Sequence, residues 1–322
     1  MHKLALVVLL LFAGAAGADT PSADTAAEAA SRLYLWPDEI APGSQRVALA
    51  QQIVERSHNP ALPDRIVTGV TRPHLVVYRP AKPNGAALLV IPGGGYRRIV
   101  LDKEGSALAP VFADQLGYTL FVLRYRLPGE GHDDARDAPL ADAQRALRLI
   151  RARAHEWRLD PQRIGAIGFS AGGHVAASLG TRFDERLRAP VDARDGISAR
   201  PDFVLLMYPV IDMGVHAHAI SHERLLGAAP TPAQIAAYSL QNRVGATTPP
   251  TFLLHASDDT SVAVDNSLLF YDALRRAHVP AQLHLYPHGG HGFGVRDIAG
   301  SPLALWPQMA DAWIRSVTEK TP

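Results

Sequence analysis

The chain has 322 residues, 47% of them hydrophobic and 20% charged, with a formal net charge of +1 and no cysteine. This is the composition of a folded chain with a large apolar core, not of a disordered or fibrous one, and the length suits one large α/β domain. The lack of cysteine excludes disulfides, thiolate nucleophiles and cysteine-ligated zinc or iron–sulfur sites. No run of five like charges offers the basic stripe that a nucleic-acid partner requires.

Residues 1–18 carry the marks of an export signal: Lys3 as a basic start, an unbroken apolar run over 4–12, and Ala16-Gly17-Ala18 as a small-x-small cleavage site. Cleavage is expected after Ala18, leaving a periplasmic or extracellular protein, and the run is too short for a stable membrane anchor. Residues 19–59, rich in Ala, Ser and Pro, read as an approach segment with one short helix at most, in which Trp36 is expected to pack on the body, with pocket lining as its alternative role. Residues 60–322 read as a single α/β domain. Strands are predicted over 74–79, 86–91, 118–125, 163–169, 203–208, 251–255 and 282–286. Helices are predicted over 104–115, where Leu108, Val111 and Phe112 recur on one side, and over 140–157, 263–278 and 303–317. In the second of these, Leu140, Ala143, Leu147, Ile150, Ala154 and Trp157 form one apolar stripe. Strands that alternate with helices and are apolar throughout imply a mostly parallel central sheet covered on both faces. Residues 211–250 break the alternation with Gly, Pro and scattered His, including a short helix over 231–238; an insertion here is expected to form a lid or pocket wall.

Four motifs carry chemistry, each at the end of a predicted strand. Gly168-Phe169-Ser170-Ala171-Gly172-Gly173-His174 follows one strand and opens an Ala-rich helix, the context that G-x-S-x-G needs. A tight turn there would expose the Ser170 hydroxyl, with the positive end of the helix beneath it. A serine hydroxyl is a weak nucleophile until a base takes its proton. Of the 14 histidines, His291 is the candidate, because it sits in a glycine-rich loop after the last strand and the base comes last in this chain order. His288 is the nearest alternative. The carboxylate that would orient the base is Asp259, with Asp258 as its alternative, in the loop after strand 251–255. Pro92-Gly93-Gly94-Gly95-Tyr96 follows an apolar strand, and the amides of Gly94 and Gly95 with that of Ala171 would form an oxyanion hole. A phosphate-cradling loop is disfavoured there, since no Lys-Ser/Thr follows it. His216, His218 and His222 read as a surface cluster rather than a ligand set, so no metal and no cofactor is expected.

At these residues the chain resembles the α/β-hydrolase esterase and lipase families, and more narrowly the branch of acetyl xylan esterases and xylanase-associated esterases. The resemblance is carried by residues 92–96, Tyr125-Arg126-Leu127-Pro128, 142–148, 160–165, 168–174, 249–259 and 289–294. It implies an α/β-hydrolase fold and cofactor-free hydrolysis of a small-molecule or oligosaccharide ester through an acyl-enzyme, with xylan- or xyloglucan-type acetyl esters as substrates. The alternatives are a broad short-chain carboxylesterase, a serine peptidase, which would need an extra domain, and a non-catalytic binding protein of the same fold. One departure stands out: many esterases of the wider group begin the oxyanion motif with His, where this chain has Pro92. How the glycine loop is braced is therefore left open by the sequence.

Overall fold

The computed structural model describes residues 20–296 and 298–319; the expected export signal lies outside these. Twelve strands are present among them: β1 Thr20–Ser22, β2 Arg32–Tyr34, β3 Gln52–Glu55, β4 Arg65–Thr68, β5 His74–Tyr78, β6 Ala87–Ile91, β7 Ile99–Val100, β8 Thr119–Arg124, β9 Ile164–Phe169, β10 Val204–Met207, β11 Thr251–Ala256 and β12 Ala281–Tyr286. The α-helices are α1 Ala26–Ala30, α2 Ala138–Ala152, α3 Ala171–Thr181, α4 Ala219–Leu226, α5 Pro232–Tyr238, α6 Asp265–Arg276 and α7 Trp306–Thr318.

The main sheet runs β12-β11-β10-β9-β6-β8-β5-β2. From β12 to β8 every neighbouring pair is parallel, and β5 and β2 close one edge antiparallel. The apolar runs seen in the sequence are explained by two-sided burial. In β6, Leu89 and Ile91 face one core together with Leu147 and Ile150 of α2 and Val175 of α3, while Leu88 and Val90 face a second core with Phe112, Trp306 and Ile314. All four are fully buried, each stabilising the fold by on the order of 1.5–3 kcal/mol relative to exposure. The stripe predicted from Leu140 to Trp157 is buried as a unit, although α2 ends at Ala152 and a 3-10 turn, Ala154–Trp157, completes it.

The predicted helix over 104–115 takes a different form. A short 3-10 turn, Ser106–Leu108, leads into a wide π-type helix, Ala109–Gln115, closed by Leu116 N–H donating to Val111 O at 3.1 Å. Pro110 lies in its first turn, where a missing N–H is harmless, and Leu108 and Phe112 still reach the core.

Residues 20–68 hold more structure than the sequence suggests. They contribute β2 to the main sheet and β1, β3 and β4 to a second, antiparallel sheet of order β1-β3-β4-β7. Its last strand is β7, directly downstream of the glycine loop, paired through Ile99 with Val67 and Val100 with Ile66. The glycine loop is therefore slung between β6 of the large sheet and β7 of the small one. Arg65 locks this junction. It donates to both oxygens of Asp102 at 2.7–2.9 Å and to both of Glu28 at 2.7 and 2.8 Å, all three side chains buried.

Chain order in the main sheet reverses at β6 and β9: the chain moves outward from β6 to β8, then returns to the opposite side of β6 as β9. Ligand sites in open α/β sheets collect in the crevice at such a reversal, beyond the C-terminal strand ends. The loops after β6, β9, β11 and β12 meet there.

Candidate active site

The sharp turn at the end of β9 places Ser170 at φ 52°, ψ −120°, a region that costs a non-glycine residue about 1–3 kcal/mol. Ser170 N–H donates to Met207 O at 3.1 Å, and Ser170 O accepts from Val210 N–H at 3.0 Å, so β10 and the residues just after it hold both sides of the turn. Small residues around it are a packing necessity. A Cβ on Gly172 would lie 2.1 Å from Ile91 O, because α3 starts against the end of β6.

Ser170 Oγ lies 2.8 Å from His291 Nε2, and His291 Nδ1 lies 2.7 Å from Asp259 Oδ2. The carboxylate accepts from Nδ1–H, which leaves Nε2 to accept the serine proton. Asp259 is itself held by the N–H groups of Ser261 and Val262 at 2.8 and 2.9 Å. Burial works to raise its pKa, yet hydrogen bonds from His255 and His291 outweigh burial and hold the carboxyl well below its usual range. It stays an anion beside the imidazole.

The glycine loop approaches from the other side. Gly94 has φ +134°, and a Cβ there would lie 2.1 Å from Arg98 O, so only glycine fits. Among the described residues, no acceptor engages the N–H of Gly94, Gly95 or Ala171. The bracing that Pro92 left open is supplied by Glu104 and Tyr125: Gly93 N–H donates to Glu104 Oε2 at 2.7 Å, and Tyr125 Oη donates to Pro92 O at 2.8 Å. The other oxygen of Glu104 accepts from Tyr208 Oη at 3.0 Å, and Tyr208 Oη accepts from Gly294 N–H at 3.1 Å. One buried carboxylate thus ties the glycine loop to the histidine loop. Burial pushes its pKa up, against the Gly93 N–H bond that lowers it.

Two further histidines have defined places. His174 on α3 lies 2.7 Å from Tyr96 Oη through Nδ1 and donates through Nε2 to Tyr238 O at 2.8 Å, linking the glycine loop to the 211–250 segment. His255 on β11 is fully buried; its Nε2 faces Asp259 Oδ2 at 3.2 Å and Val262 O at 3.0 Å, and its Nδ1 faces Ser267 Oγ at 2.8 Å. No role for either was legible in the sequence, nor one for Glu104: the two histidines sit beside apolar residues and Glu104 in the polar run Asp102-Lys103-Glu104, and neither setting gives a local sign of a distant partner. The alternatives are placed apart: Asp258 pairs with exposed His288 at 3.3 Å and accepts from the N–H groups of Gly289 and Gly290 at 3.0 and 2.8 Å.

Ser170 and His291 open into a pocket of about 300 Å³, lined also by Gly94, Gly95, Glu104, Ser261 and, from the 211–250 segment, His218 and Ile220. Of the three histidines read as a surface cluster, His218 is the one in this pocket. His222 turns inward, with Nδ1 against Met213 O at 2.9 Å. Among the described residues no group of three or more His, Asp or Glu is arranged to hold a metal ion, and no helix is long and apolar enough to cross a membrane.

Residues 75–274 match the BD-FAE family. The chain belongs to the BD-FAE family. The matched stretch includes the glycine loop, Ser170 and Asp259 and stops before His291. A similar protein of known structure, an acetyl ester-xyloside bifunctional hydrolase from Caldicellulosiruptor lactoaceticus, is 37% identical, with a TM-score of 0.73 over 89% of this chain and 96% of that one. An acetylxylan esterase from Xylanibacter ruminicola is 36% identical over 68% of this chain and 43% of its own length. Endo-1,4-beta-xylanase B from Butyrivibrio fibrisolvens is 40% identical over 65% of this chain and 32% of its own. The chain thus spans less than half the length of these two curated relatives. The fold is that of α/β-hydrolase esterases.

Proposed function

We propose that this chain is a serine esterase that removes acetyl groups from xylan- or xyloglucan-type carbohydrate. The observation that carries the reading is the unbroken chain of short hydrogen bonds from Ser170 through His291 to Asp259, set beside three unengaged amides. In this mechanism His291 Nε2 takes the proton of Ser170 Oγ as Oγ bonds to the ester carbonyl carbon. The amides of Gly94, Gly95 and Ala171 hold the resulting oxyanion. Collapse breaks the bond to the sugar oxygen, which leaves with the proton from His291. Water, deprotonated by the same imidazole, then attacks the acetyl-enzyme and releases acetate and free Ser170. Asp259 keeps the imidazole in the right tautomer and stabilises its charged form throughout. The relatives' names support the carbohydrate acetyl ester, and residues 1–18 support export to where such polymers lie.

Acetate release from acetylated xylan and xyloglucan, measured beside p-nitrophenyl butyrate and a peptide panel, tests the reading. Preference for the acetylated carbohydrates is expected, with Ser170→Ala lowering kcat on the order of 10⁴–10⁶-fold. A serine-directed organophosphate is expected to modify Ser170 and no other serine. A folded protein that is active but unlabelled there would overturn the assignment.

A further inference from the structure

His218 lies in the 211–250 segment, outside the hydrogen-bond chain just described, and its surroundings specify which ring nitrogen carries the proton. It is the N-cap of α4: its Nδ1 accepts from Ser221 N–H at 3.4 Å and lies 2.8 Å from the buried Ser221 Oγ. A neutral imidazole that accepts at Nδ1 bears its proton at Nε2. Burial, and then the neighbouring His291, lower its pKa, so the ring is neutral near pH 7. Among the described residues Nε2 has no acceptor. The ring sits directly above the glycine loop, with Cε1 3.6 Å from where a Cβ of Gly95 would stand and Ile220 beside it at 3.3 Å. The segment that carries it is pinned in place: Asn266 Oδ1 accepts from the N–H groups of Ile211 and Asp212, Ser239 Oγ accepts from Met213 N–H, and Tyr238 O accepts from His174. The Nε2–H of His218 is therefore a donor that the hydrolysis does not use, at a pocket lined also by Ser261 and the cationic Arg56, Arg97, Arg98 and Lys103.

We infer that His218 reads the alcohol side of the ester, its Nε2–H donating to a hydroxyl or ring oxygen of the sugar that carries the acetyl group. An acetyl group offers one strong acceptor, its carbonyl oxygen, and the three amides take that up. A further donor at the pocket matches a leaving group dense in oxygens, which a sugar is and an alkyl or aryl alcohol is not. This inference rests on the carbohydrate reading above and adds the residue that enforces it.

The test uses the full chain with His218→Ser and His218→Asn. Both replacements are strong N-caps and keep α4, while both remove the Nε2–H; circular dichroism and melting temperature report on the fold. The readout is the ratio of kcat/KM for acetylated xylobiose to kcat/KM for p-nitrophenyl acetate. The ratio is expected to fall about tenfold in both variants, the loss of one neutral hydrogen bond, mostly through KM for the sugar ester. An unchanged ratio overturns the inference, whether activity on both substrates stays or falls together; a parallel fall would place the ring on the oxyanion instead. If the unmutated protein hydrolyses p-nitrophenyl acetate but releases no acetate from acetylated xylobiose, the carbohydrate reading itself fails and this inference with it.

Discussion

Asp258 and Asp259 are neighbours in the chain, and each meets a histidine of the same glycine-rich loop, yet the two pairs are physically unlike. Asp258 and His288 stand 3.3 Å apart with side chains 41% and 90% exposed, whereas Asp259 and His291 stand 2.7 Å apart with Asp259 fully enclosed. Solvent screens the first pair, so its charges do little for each other. The second is shielded, and Asp259 is further gripped by two backbone amides and by His255. Only the second histidine reaches a hydroxyl on its other side. The exposed aspartate does something else. By accepting from Gly289 and Gly290, it shapes the turn that presents His291. Residue type is the same in both pairs; burial and reach separate them.

The sharpest way to break this contrast is to neutralise each aspartate in turn. Asp259→Asn is expected to lower kcat by about 10⁴, since the amide no longer enforces the tautomer that leaves Nε2 free; kcat within tenfold of the unmutated protein would show that enclosure of this carboxylate is irrelevant to the chemistry. A smaller effect concerns another buried histidine. Burial holds His174 at about 4 against an ordinary value of 6.5. The unfolded chain therefore binds a proton below about pH 6.5 that the folded chain refuses until about pH 4, so the stability tied to neutral His174 is whole above that window and lost as pH falls through it. The loss amounts to about 3 kcal/mol by linkage, and His74, likewise buried and held at about 4, adds in the same direction. Urea unfolding between pH 7 and pH 4 should show the decline, and His174→Gln, which retains a donor for Tyr238 O, should make it shallower. The smallest effect is expected at the exposed pair: Asp258→Asn and His288→Ala should each leave kcat/KM within about threefold, because Asn still accepts from the glycine amides and a screened ion pair contributes little. A hundredfold loss in either would mean that the outer pair also tunes His291.

Much of the frame is legible in the sequence for local reasons. The strands β6, β8, β9, β10 and β11 are buried on both faces, so their apolar runs betray them. The Gly168 to His174 motif and the glycine loop show as short glycine-rich patterns at strand ends, although only Gly168 and Gly94 are confined by near neighbours in the chain, Gly172 O and Arg98 O; Gly172 and Gly173 are demanded by the distant Ile91 and Pro209. The second sheet escapes notice because its strands are two to four residues long and β1 is exposed throughout; so few residues show no period. The wide helix at Ala109–Gln115 escapes because its apolar spacing is close to that of an α-helix.

The chain of residues by itself announced the α/β alternation and the strand-end motifs that contain Ser170, Asp259, His291 and the glycine loop, since each is a pattern within a few positions. Only the tertiary structure decided that Glu104 joins the glycine loop to Tyr208, that His255 stands behind Asp259, and that His218 leaves a supposed surface cluster for the pocket. A buried polar group must find a partner, but the partner can come from anywhere in the chain: Tyr208 is 104 positions from Glu104, and His291 is 121 from Ser170. Local pattern announces such a group only when its neighbours in sequence are also its neighbours in space.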